Sequence, residues 1–198
     1  TGERIDASKI EFLAGWRNGR ASAYRWVKRS VIHPDYVYAG AVEAERVRND
    51  IALLELRHPI NNTTVIPFNT DRRPRKGDRI GVVSYAKDRA EAPALQEICG
   101  VMARQQGVLI MSCDVDLGSS GAPVFSFEYD TPTIVSVISA KAEVEGQRVA
   151  LGTQLETPLE VLKAELANNN NGFQSVPKVS RLGQRKNTGA KFIKPASD

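Results

Sequence analysis

The tightest constraint on this chain is a series of short runs separated by turn residues: Arg79 to Tyr85, Leu95 to Ala103, Val108 to Cys113, Ala122 to Phe127, Thr133 to Ala140 and Val149 to Gln154. Six strands at this spacing predict an all-β unit, a barrel or a sandwich. Upstream, Ile10 to Trp16 and Ala21 to Val31 flank Asn18-Gly19, a hairpin signal because both residues tolerate the positive φ of a primed turn. His33-Pro34 closes the second of these strands, and Ile51 to Leu56 reads as a further apolar strand. The polar stretch 71–78, with Arg72, Arg73, Pro74, Arg75, Lys76 and Gly77, reads as a linker between a first lobe over 1–70 and a second over 79–155.

Thr157-Pro158-Leu159-Glu160 predicts a helix start, with a capping hydroxyl, proline in the first turn and a glutamate placed to reach back. Leu159, Leu162 and Leu166 repeat at three- and four-residue intervals, so a short helix is expected over 156–167. Asn168 to Gly172 then opens a loose tail, 168–198. The net charge of +4 lies in that tail, where Lys178, Arg181, Arg185, Lys186, Lys191 and Lys194 face only Asp198. Basic residues confined to a terminal segment describe a solvated end rather than a phosphate-binding face, so no nucleic-acid partner is expected. No stretch reaches the roughly 20 apolar residues of a membrane-spanning helix.

Cys99 and Cys113 are the only cysteines. A hairpin folded about Gln105-Gln106-Gly107 and centred on Gln106 places them opposite each other, within reach of a disulfide. Such a bridge implies a secreted or periplasmic protein; the other reading is two buried free thiols in a cytosolic one. Two cysteines and two scattered histidines lack metal-ligand spacing, and there is no dinucleotide-binding glycine loop, so no metal or cofactor is expected.

Chemistry concentrates in Gly118-Ser119-Ser120-Gly121-Ala122-Pro123 and Asn49-Asp50-Ile51-Ala52-Leu53-Leu54. Serine attack on a carbonyl requires a hydroxyl on a tight turn, a base to take its proton and a carboxylate to orient that base. The first segment offers the hydroxyl on a turn free of side-chain bulk, and Gly118 lets the backbone aim N–H groups at a developing oxyanion. Gly/Ser clusters are also common in plain loops, and Ser119 is a competing hydroxyl.

Asp116 to Phe125 resembles the nucleophile segment of trypsin-like serine peptidases, especially the bacterial glutamyl-endopeptidase-like branch, and Asn49 to Leu56 resembles that family's triad-aspartate strand. Val31-Ile32-His33-Pro34-Asp35-Tyr36, Cys113-Asp114 and Ile134 to Ala140 resemble further family segments in the same order, so the likeness covers roughly 25–166. It implies two antiparallel β-barrels of the chymotrypsin type with a closing C-terminal helix, here with residues 1–70 as the remnant of an incomplete first barrel. It also implies a monomeric enzyme acting on polypeptides, with Ser120 as nucleophile, Asp50 as orienting acid, and the N–H groups of Gly118 and Ser120 as oxyanion donors.

The departures carry equal weight. The family places its catalytic histidine before the aspartate, in an alanine-rich turn, and neither His33 nor His58 stands in such a segment. Both are expected to be structural or exposed, and the base is expected upstream of Thr1, in a longer parent; the chain alone would then be nearly inactive. The alternative is a peptidase-like scaffold that has lost its histidine and binds proteins. Ser119 replaces the aspartate with which trypsin pairs its freed amino terminus. Asp114 stands where trypsin's pocket carboxylate selects Lys or Arg, although Asp116 replaces the cysteine that would brace the pocket. Ser139, Ala140 and Lys141 are expected along the substrate cleft, where Lys141 could equally favour acidic substrates.

Overall fold

The computed structural model describes residues 4–38, 42–70, 74–128 and 131–168. The tail after Asn168, and Asp71 to Arg73 of the expected linker, lie outside the described residues. In the first lobe, strands β1 (Glu11–Ala14), β2 (Ala23–Ile32) and β3 (Ala52–Leu56) form an antiparallel sheet in the order β1-β2-β3. The expected Asn18-Gly19 turn is present: φ is 49° at Asn18 and 80° at Gly19, and Arg17 pairs with Arg20 across it.

A short helix that no sequence periodicity predicts, α1 (Ala44–Asn49), lies between β2 and β3. Its six residues are mostly polar, and Val47 is its one buried apolar side chain, so no periodic stripe marks it. Asp50 is therefore the residue that ends this helix, two positions before β3 begins at Ala52.

Strands β4 (Arg79–Ser84), β5 (Ala94–Gln105), β6 (Val108–Met111), β7 (Pro123–Ser126), β8 (Thr133–Val144) and β9 (Gln147–Gln154) close into an antiparallel barrel in the order β4-β5-β6-β9-β8-β7. This resolves the choice between barrel and sandwich. Ile80, Val101, Leu109, Met111, Val124, Val135 and Ile138 fill its interior. β8 runs four residues beyond the expected Ala140 and turns into β9 at Glu145-Gly146, with φ of 51° and 79°. A glutamate at positive φ is an uncommon occupant of a primed turn, which hid this hairpin in the sequence.

Cys99 and Cys113 are joined by a disulfide, with Cα atoms 4.9 Å apart. The hairpin is not centred on Gln106, however. Gln105 pairs with Val108 around a two-residue turn, Gln106-Gly107, with φ of 50° and 81°. The register then shifts between Val101 and Ala103, so that Val101 faces Met111. That bulge adds one residue to β5 and brings the two cysteines opposite each other.

The closing helix, α2 (Glu156–Asn168), starts earlier than its expected cap. The Leu159 N–H donates to the Leu155 carbonyl, so Thr157 and Pro158 lie inside the first turn, where proline loses no helical hydrogen bond. α2 leaves the barrel and packs on β2 and β3 of the first lobe, burying Leu162 completely. Replacing both Cys99 and Cys113 by alanine should lower stability by about 3 kcal/mol, the entropy released by opening a loop of this length. Urea unfolding of the oxidised chain and the double variant measures it.

Candidate active site

The segment from Cys113 to Ala122 leaves β6 and folds back as a tight elbow before β7. Gly118 has φ of 88°, and a Cβ there would sit 3.2 Å from the backbone nitrogen of Lys87. Glycine is required both by the left-handed backbone and by the packing of the elbow against Ala86 and Lys87. Gly121 is also left-handed, with φ of 84°. The Ser119 N–H donates to the Asp116 carbonyl (3.1 Å), the Ala122 N–H to Ser119 (3.0 Å) and the Lys87 N–H to Leu117 (3.0 Å). Among the described residues, the N–H groups of Gly118 and Ser120 have no acceptor. The two serines differ sharply: Ser119 is 2% exposed and its hydroxyl has no partner among the described residues, whereas Ser120 is exposed.

Asp50 is fixed largely by the lobe to which it does not belong. Ser139 Oγ, on β8, donates to Asp50 Oδ2 at 2.6 Å. Thr153 on β9 is fully buried, and its Oγ1 lies 2.6 Å from the Val47 carbonyl and 3.2 Å from the Asp50 carbonyl, so one hydroxyl holds the end of α1. Val47 packs with Val108, Val149 and Leu151 of the barrel, fastening α1 to β6 and β9. From its own lobe the carboxylate meets Tyr36, whose phenol is pushed above its usual pKa by burial first and by the Asp50 charge second.

The elbow and the carboxylate are connected through β8. The Gly121 N–H donates to the Ile138 carbonyl (2.7 Å), Ile138 N–H donates to Ala122 (2.9 Å), and the next residue, Ser139, grips Asp50. Neither histidine joins this arrangement. His33 is 7% exposed, and its Nδ1 accepts the Asp35 N–H at 3.3 Å; His58 is exposed beyond the end of β3.

Beside the elbow lies a cavity of about 550 Å³ between the 113–120 segment and β8. Asp114, Gly118, Ser120, Ala140 and Lys141 line it, with Val42 contributed by the first lobe. Ser139 directs its hydroxyl to Asp50 instead. Lys141 Nζ lies 3.7 Å from Asp116 Oδ1, an ion pair that bridges the two walls. Among the described residues, no cluster of three or more His, Cys, Asp or Glu side chains could hold a metal ion, and no helix is long and apolar enough to cross a membrane.

Sequence reasoning missed Thr153 and Tyr36 as partners of the Asp50 segment. Tyr36 stood within a segment already singled out, but nothing local to Thr153 marks a strand threonine as a tether 103 residues from its acceptor.

A family model described as a trypsin-like peptidase domain matches residues 17–130. The fold is similar to a solved structure of kallikrein-related peptidase 10, with a TM-score of 0.55 and 16% identity over 75% of this chain and 76% of that one. At that identity the likeness shows the fold alone, which is chymotrypsin-like. No curated protein matches the chain in sequence.

Thr153→Val keeps the shape and removes the donor, leaving the Asp50 carbonyl without a partner and the Val47 carbonyl with only the Asp50 N–H; it should cost about 1–3 kcal/mol and speed amide exchange over 44–52, while Thr153→Ser keeps most of the protection. Burial also lowers the His33 pKa below its ordinary 6.5. The unfolded chain therefore takes up this proton at a higher pH than the folded one, and the stability present above 6.5 falls as the pH drops below that value. Urea midpoints at pH 7 and pH 5 should show this loss, and a His33→Gln variant should lose less between the two.

Proposed function

Because the chain belongs to the trypsin-like peptidase family, we propose that it carries the nucleophile and the orienting acid of a serine endopeptidase, Ser120 and Asp50. In this reading Ser120 Oγ attacks the scissile carbonyl of a bound polypeptide and yields its proton to an imidazole held by Asp50. The free N–H groups of Gly118 and Ser120 take the oxyanion, a contribution of roughly 3–4 kcal/mol per donor. The imidazole returns the proton to the leaving amine, and water then releases the acyl group by the same route. The base comes from a histidine upstream of Thr1 in a longer parent, of the glutamyl-endopeptidase-like branch and secreted or periplasmic. The Cys99–Cys113 bridge fits an oxidising compartment.

The observation that carries this reading is the Ser139–Asp50 hydrogen bond, which ties the carboxylate to the strand on which the nucleophile elbow rests. Beyond Ile138, whose backbone is still bonded to Gly121 and Ala122, β8 has no partner on the β7 side among the described residues, leaving an edge on which an extended polypeptide can lie. Asp114 in the adjoining cavity is the carboxylate that would draw a Lys or Arg side chain of the substrate.

One observation favours a second reading. Neither histidine of residues 1–198 faces Asp50, since His33 accepts the Asp35 N–H and His58 lies exposed beyond β3, as expected of a scaffold that binds polypeptides without cleaving them.

The two readings separate when the missing base is supplied. Free imidazole should raise hydrolysis of an activated ester by the chain about tenfold or more above imidazole alone, within the range of general-base catalysis. Ser120→Ala should abolish the gain and Ser119→Ala should leave it. A gain that survives Ser120→Ala, or no gain at all, leaves the binding scaffold. Labelling of Ser120 by a fluorophosphonate in the parent protein is the companion measurement.

A further inference from the structure

The charges around the cavity are unevenly matched. Arg148 stands directly opposite Glu143 in the β8–β9 register, and both line the cavity. Lys141 is held by Asp116 at 3.7 Å. No ion pair is formed by Asp114, Glu143 or Arg148 among the described residues, and of these three only Asp114 has no opposite charge across from it in the strand register. The unmatched charge facing a ligand is therefore negative, and it depends on where the Lys141 ammonium is kept.

That ammonium sits on a long flexible stem, and its carboxylate partner is on the opposite wall, two residues from Asp114. Freed from Asp116, Lys141 shares the cavity with Asp114, the carboxylate that has no arginine opposite it. The site would then be neutralised from within.

We propose that Asp116 is a specificity-determining residue: it holds Lys141 against the cavity rim and so leaves Asp114 open to a cationic side chain of the bound polypeptide. This inference rests on the reading of Asp114 given above and adds the residue that keeps it available. Asp116 touches neither the nucleophile nor the base, so its effect is on which side chain is accepted rather than on the chemistry. The pair is largely exposed, with 46% and 75% of the two side chains accessible, so salt should weaken it and the selectivity together.

The test is fluorescence anisotropy with the full 198-residue chain and labelled hexapeptides that differ only in a central Arg, Glu or Ala. The wild type should bind the Arg peptide most tightly, and Asp114→Asn should remove that preference. Asp116→Asn should reduce the Arg-over-Glu preference by about fivefold, the scale of an exposed ion pair. Lys141→Ala should leave the preference intact or strengthen it, and adding Lys141→Ala to Asp116→Asn should restore it. If the wild type shows no Arg preference and Asp114→Asn changes nothing, the reading of Asp114 falls and this inference with it. If Asp114→Asn abolishes a real preference but Asp116→Asn does not alter it, or the second substitution fails to restore it, the role of Asp116 alone is overturned.

Discussion

The described site depends on the docking of one short helix against a barrel that lies after it in the chain. α1 brings a single buried valine to a patch of barrel valines and a leucine, and this apolar contact sets the distance at which Thr153 and Ser139 work. Dispersion and burial at Val47 supply a non-directional attraction. The two hydroxyls supply direction, because a buried carbonyl left without a donor costs more than a made hydrogen bond returns. Asp50 is held where it is by its backbone at Thr153 and by its side chain at Ser139. The first lobe contributes the residue and the second contributes its position.

The nucleophile elbow obeys a different constraint. Gly118 and Gly121 bracket the two serines in left-handed backbone, turning one hydroxyl into the protein and the other outward. The turn is set by the glycines, the Ser119 N–H bond to the Asp116 carbonyl and the packing against Ala86 and Lys87, and it buries Ser119 while leaving Ser120 outward. The disulfide fixes the segment at Cys113, where it leaves β6, and β7 takes it up at Pro123, so both ends of the elbow are anchored in the barrel.

What could be read from the sequence divides along physical lines. The barrel strands are legible because alternation and turn residues are local signals, and the Asn18-Gly19 hairpin is legible because so few residues accept its dihedrals. The Glu145-Gly146 turn escapes, since its first residue adopts a conformation that glutamate rarely takes. α1 escapes because six residues are too few to show a period. The cysteine pairing is legible from the hairpin although the turn centre lies half a residue from the expected one, because the bulge in β5 compensates. Asp50 and Ser120 stand out through their neighbours in sequence, whereas Thr153 acts through a contact that exists only in three dimensions, so composition and spacing are silent about it.

Thr153 and Ser139 also govern timing. A chain leaving the ribosome exposes Asp50 long before its partners exist, because they lie 89 and 103 residues further on. Contacts at such separations close late, after the intervening barrel has formed. Until translation has passed β9, the carboxylate lacks the second of its tethers, and whatever chemistry the cleft performs is withheld from the nascent polypeptide and from the machinery that makes it.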